Sequence, residues 1–162
     1  MYNIGDIVMY TIYGICKIED ITEMNGMKFY LLIPLSEQKT KISLPVDNPM
    51  TYKRVHPLME KDAIIELLNE IPFMEPYWID RDNDRKQAFS DIIKSGDRRE
   101  TIKVIKSIRK HIIDIKDKGR KLHATDKQAM KDAEKLLLDE LSYVLNMDRC
   151  QAEIMLNTEL EK

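Results

Sequence analysis

This chain has very little of what catalysis, cross-linking or membrane insertion requires. Its two cysteines, Cys16 and Cys150, lie far apart with no CxxC or Cys/His pairing. That excludes a disulfide framework and a zinc site, and both are read as core thiols. The three histidines, His56, His111 and His123, stand beside a proline, inside an amphipathic stretch and in a loop, and no HExxH, GxSxG, P-loop or GxGxxG pattern occurs. An enzyme is therefore not expected, and neither a cofactor nor a metal is implied. No apolar run approaches the roughly 20 residues of a membrane span. The start "MYNIGDIVMY" lacks a basic-then-apolar leader, so a cytoplasmic protein without membrane contact is expected. Aromatic residues make up only 7% and include a single tryptophan, Trp78.

Charge, by contrast, is plentiful at 33% of residues, and the net value of −2 conceals its distribution. Residues 1–55 are neutral, 56–80 carry 1 basic and 6 acidic side chains, and 122–162 carry 5 and 9. Residues 81–121 hold 14 basic against 7 acidic, a block of +7. Such a block is either a solvated helix face or the footprint of a polyanion binder.

The periodicity divides the chain in two. Up to residue 55, short alternating segments ("GDIVMY", "GICKIEDITE", "KFYLLIPL", "KTKISLPV", "TYKRV") are separated by turn chemistry, with Asn25-Gly26 suited to a two-residue hairpin turn. Five short strands in that length predict a small SH3- or Tudor-like β-barrel. From His56-Pro57 onward the period is helical. "PLMEKDAIIELLNEI" is expected to begin at its proline. "DRKQAFSDIIK" ends at Ser95-Gly96, and Asp97 caps a long helix with Ile102, Ile105, Ile108, Ile112 and Ile115 along one side. Thr125 and Asp148 are the expected caps of two further helices, with Met130, Leu137, Leu141 and Tyr143 in the core. The fold class is two-domain α+β, with a barrel over 1–55 followed by an all-α bundle of about five helices over 56–162.

The candidate functional stretch is "EPYWIDRDNDRK", Glu75–Lys86. Either Trp78 staples this proline-bounded loop onto the bundle, or it is presented as an aromatic wedge with Arg81, Arg85 and Lys86 beside it to hold phosphates. Apolar side chains inserted at a base step from the minor groove, backed by cations, grip distorted DNA without reading much sequence.

"YNIGDIVMYTIYGICKIEDI", then "FYLLIPL" and "KISLPVDN", resembles the amino-terminal RNA-polymerase-interacting domain of the CarD/CdnL bacterial transcription regulators. "W…R…SGD" leading into a long basic helix is similar to their helical carboxyl-terminal domain. The resemblance implies a Tudor-like domain that docks on the RNA polymerase β subunit. It also implies a bundle that meets promoter DNA in the minor groove at the upstream edge of the transcription bubble, largely independent of sequence, and stabilises the open complex. By position it nominates Trp78 as the wedge, with Arg81, Arg85, Lys86 and Lys94 as DNA contacts. It nominates Met24, Asn25, Lys39, Lys41 and Ser43 as polymerase contacts. Ser43 stands where the family carries an arginine, which shifts that contact toward Lys41. A bacterial, cytoplasmic monomer associated with the nucleoid through polymerase is the corresponding expectation. Two other classes compete: an adaptor that binds only proteins, and an RNA-binding barrel, which the neutral charge of residues 1–55 disfavours.

Overall fold

The computed structural model describes all of residues 1–162, and the chain separates into two compact units, Met1–Leu58 and Met59–Lys162. The first unit is a five-stranded antiparallel sheet: β1 (Ile7–Tyr10), β2 (Gly14–Met24), β3 (Met27–Pro34), β4 (Ile42–Pro45) and β5 (Val55–Pro57), in the order β4-β3-β2-β1-β5. Asn25 and Gly26 join β2 to β3 with φ of 52° and 75°, the left-handed pair that the hairpin requires. Alternation buries Cys16 and Ile18 on β2 against Tyr30 and Leu32 on β3, with Val8, Tyr10, Val46 and Val55 completing the core. Between Ile18 and Asp20 the register slips by one residue, so Glu19 and Asp20 are both exposed and Ile21 faces inward again. This bulge bends the longest strand.

The expected closed barrel is not what forms. β4 pairs only with β3 and β5 only with β1, leaving the sheet open. The reason lies in "NPMTYKR". Asn48 accepts a hydrogen bond from Met50 N at 2.8 Å and Pro49 occupies the first turn, so α1 (Pro49–Arg54) forms where a fifth strand was expected. Only three residues are left for β5.

The second unit contains α2 (Lys61–Glu70), α3 (Asp82–Ser95), α4 (Arg98–Lys116), α5 (Ala124–Val144) and α6 (Arg149–Leu160), with one 3-10 turn at Ile71–Phe73. With α1 the chain therefore has six α-helices. Pro57 belongs to β5, and α2 starts four residues after it at Lys61. Gly96, at φ 72°, ends α3, and the Asp97 carboxylate accepts from Glu100 N at 3.0 Å to open α4. Asp148 and Gln151 form a reciprocal capping box on α6. α5 begins two residues earlier than expected, with His123 rather than Thr125 at its N-cap, so Thr125 lies inside its first turn.

The main bundle core gathers Ile64, Leu67, Leu68 and Ile71 from α2 and the turn after it with Ile102, Ile105, Leu137, Leu141 and Leu156. A smaller cluster centres on Phe89, Val104 and Ile108. Two expectations for individual side chains fail. Tyr143 is 46% exposed on the outer face of α5, and Cys150, in the first turn of α6, is exposed whereas Cys16 is buried. No helix is long and apolar enough to cross a membrane. Replacing Asp97 by Ala should lower the stability of the helical unit by about 1 kcal/mol, the usual value of an N-cap, measured by urea unfolding.

Candidate nucleic-acid interface

Four segments meet at one end of the helical unit: Pro76–Asp80, the start of α3, the last two turns of α4 and the start of α5. Arg85 joins three of them. Although charged, it is only 2% exposed, and its guanidinium grips Asp126 on α5 through two 2.8 Å hydrogen bonds, from Nε to Oδ1 and from NH2 to Oδ2. NH2 also donates to Asp82 Oδ1 at 2.8 Å, while NH1 donates to the carbonyls of Ile79 at 2.8 Å and Asp80 at 3.4 Å. These donors satisfy a buried cation that would otherwise be costly. The hydrogen bond that Arg85 donates to Asp126, first, and the one it donates to Asp82 raise its pKa against the opposing effect of burial.

The same guanidinium sits 4.3 Å from the centre of a Trp78 ring. Trp78 also stacks on His111 of α4, with ring centres 3.8 Å apart and planes 12° from parallel, and meets Phe89 edge-on at 6.2 Å. The indole is half-buried, held by a cation, an imidazole and a phenyl ring, with part of its surface in solvent. The loop leading to it is equally fixed. Lys106 Nζ donates to the carbonyls of Ile71 at 2.7 Å and Met74 at 2.6 Å, and Tyr77 N donates to Ser107 Oγ at 2.9 Å.

Arg85 thus points inward, where no phosphate can reach its occupied donors. Arg81 is 84% exposed with only a long 3.5 Å ion pair to Asp84, and Lys86 is exposed on the next turn of α3. Both lie near Trp78. Lys94 is exposed at the far end of α3, roughly 20 Å along the axis from Arg81 at 1.5 Å per residue. In the sheet unit, Met24 (57% exposed) and Asn25 sit at the β2–β3 hairpin tip. Lys39 and Lys41 are exposed before β4, and Ser43 is exposed on β4, opposite Leu31.

The +7 block resolves into two groups. Arg98 pairs with buried Glu140 at 2.8 Å, Arg99 with Glu70 at 2.7 Å and Arg109 with Glu134 at 3.2 Å, so these cations join helices. Lys110, Lys116, Lys118, Arg120 and Lys121 remain in solvent at the end of α4 and in the following loop. That loop returns to the same end of the bundle, since Leu122 packs on the Phe89 cluster and His123 lies 3.4 Å from Asp82. The run "KDKGRK" at 116–121 carries this signal in the sequence, whereas the expected phosphate contacts are Arg81, Arg85, Lys86 and Lys94. Phe73, 84% exposed on the 3-10 turn, was also missed.

An antiparallel sheet unit followed by a helical unit defines a two-domain α+β protein. The first unit matches the CarD-like/TRCF RID domain over residues 2–56, and the second matches the CarD C-terminal domain over residues 64–157. The chain belongs to the CarD/CdnL family, whose members are non-catalytic transcription factors. No curated protein matches it.

Two outcomes follow from the Arg85 network. Arg85→Met should destabilise the helical unit by about 3–5 kcal/mol because it leaves the Asp126 carboxylate buried and unpaired, whereas Arg85→Met with Asp126→Leu should recover most of the loss, both measured by urea unfolding. The Asp82 carboxyl is held below the usual aspartate range, chiefly by the Arg85 hydrogen bond and further by His123, against a smaller opposing effect of desolvation. Its contribution is present above the ordinary aspartate pKa and is lost as pH falls through the depressed value. Trp78 fluorescence should therefore show an acid transition below the ordinary aspartate range that Asp82→Asn removes.

Proposed function

We propose that this protein is a transcription regulator that holds the RNA polymerase β subunit through its sheet unit and promoter DNA through its helical unit. It grips the upstream edge of the bubble in the minor groove and so stabilises the open complex. The observation that carries this reading is the immobilised, half-exposed Trp78 at an end of the bundle that also bears exposed cations. A wedge is useful only if it does not fold away when pressed against a base pair, and Arg85, His111 and Phe89 hold the indole in place. Arg85 acts here as a positioning residue, and the phosphate contacts fall to Arg81, Lys86 and the 116–121 loop, with Lys94 reaching a more distant part of the backbone. Met24, Asn25, Lys39, Lys41 and Ser43 form the polymerase-facing set, at a hairpin tip and along the β4 edge.

The energetics are modest. A stacked aromatic contributes about 1–3 kcal/mol, and the phosphate contacts weaken as salt rises. Tethering to polymerase supplies the remaining occupancy as effective concentration, so the isolated protein should bind duplex DNA weakly. A reading as a protein-only adaptor draws on Phe73, whose exposed ring would suit a partner's pocket.

The test is the lifetime of open complexes formed by the cognate polymerase. Wild-type protein should lengthen it, and Trp78→Ala should remove about fivefold or more of that effect, matching the lower end of the stacking range. Arg81→Ala with Lys86→Ala should weaken the effect and flatten its salt dependence. If Phe73→Ala abolished the effect while Trp78→Ala left it intact, the adaptor reading would replace this one.

A further inference from the structure

The outer face of α4 is stepped. Lys106 Nζ donates to the carbonyls of Ile71 and Met74, and Ser107 Oγ accepts from Tyr77 N, so residues 71–77 lie across the first half of that face. Ile113 follows Lys106 by seven residues, which is two helical turns. It therefore continues the same stripe about 10 Å further along the axis. Here the helix surface is bare: Lys110, Ile113, Asp114, Lys116 and Asp117 are all exposed, Ile113 by 68%.

Each half of the face has an apolar centre, and the charges around the two centres are opposite. The raised half presents Phe73, 84% exposed, on a turn held by Lys106 and stiffened by Pro72 and Pro76. Glu66 and Glu75 are exposed on the same segment, while Glu70 is paired with Arg99. Around Ile113, on the bare half, Lys110, Lys116, Lys118, Arg120 and Lys121 outnumber Asp114 and Asp117. An aromatic ring immobilised in solvent has already lost its freedom and suits an interface anchor.

We propose that this face pairs with the same face of a second copy of the chain, in an antiparallel two-fold dimer. Raised and acidic at one end, bare and basic at the other, the face complements itself only when one copy is reversed, and that contact closes after two subunits. Phe73 of each protomer then seats against Ile113 of the partner subunit and the apolar stems of the lysines beside it, while Glu66 and Glu75 come opposite those ammonium groups. Two anchors a side are few for an obligate dimer, so the pairing is reversible and salt-sensitive. It does not depend on whether the Trp78 end meets DNA.

Sedimentation equilibrium of the full chain, over a range of protein and salt concentrations, tests the pairing. A monomer–dimer equilibrium with nothing larger is expected, moving toward monomer as salt rises. Phe73→Ala should weaken the dimer about tenfold. Glu66→Lys with Glu75→Lys should disrupt it, as should Lys110→Glu with Lys116→Glu. Mixing these two charge-reversed chains brings opposite charges together at both ends of the face, so a mixed dimer should form where neither chain pairs alone. All five positions are exposed, and circular dichroism checks that folding is unchanged. A wild-type chain that stays monomeric up to millimolar concentration, or that grows past the dimer, overturns the proposal. So does a dimer indifferent to Phe73→Ala and to both reversals, or a failure of the reversed chains to pair on mixing.

Discussion

The pairing of Arg85 with Asp126 is the constraint on which the Trp78 end of the helical unit depends. It joins the start of α3 to the start of α5, and with its remaining donors it fixes the Ile79 and Asp80 carbonyls that follow Trp78. Such a pair is weak evidence for stability, because desolvating two charges offsets much of their attraction. Its value is geometric. A guanidinium with every donor engaged admits one arrangement of its neighbours, and here that arrangement places a cation against the only indole.

A second buried pair repeats the device at the other end of α5. Glu140 is 3% exposed, accepts from Arg98 Nε and NH2 at 3.0 and 2.8 Å, and also accepts from Met59 N at 2.8 Å. The long helix α5 thus carries an acidic anchor near each end, each holding an arginine from a neighbouring helix. Between them the contacts are apolar and non-directional, so the ion pairs set which residues face each other while the hydrophobic core supplies the driving force. This division explains how a strongly basic segment sits inside a compact bundle: much of its charge is internal wiring, and the remainder is left where α4 ends.

The preorganisation has a consequence for function. A tryptophan free to rotate would lose conformational entropy on stacking against DNA, whereas one already packed on His111 and Phe89 has lost it during folding. The cost is that less of the indole is available. On the proposed reading, the attraction for a nucleic-acid partner would come from the cations that remain in solvent around it rather than from more aromatic surface.

Much of the fold was legible in the residues themselves. The change of period near residue 56, the Asn25-Gly26 hairpin, the glycine stop at 96 and the Asp97 and Asp148 caps are local chemistry, and local chemistry is written in sequence. So was the family resemblance, carried by "IGDIVMY" and its successors. The open sheet was not, because the choice between strand and helix at "PMTYKR" turned on a cap and a proline that compete with a β-prone composition. Nor could the sequence determine which cations face solvent. Arg85 and Lys86 are adjacent and chemically alike in the text, yet one is buried and the other exposed. That difference belongs to Asp126, 41 residues away, which only the folded chain brings within 2.8 Å.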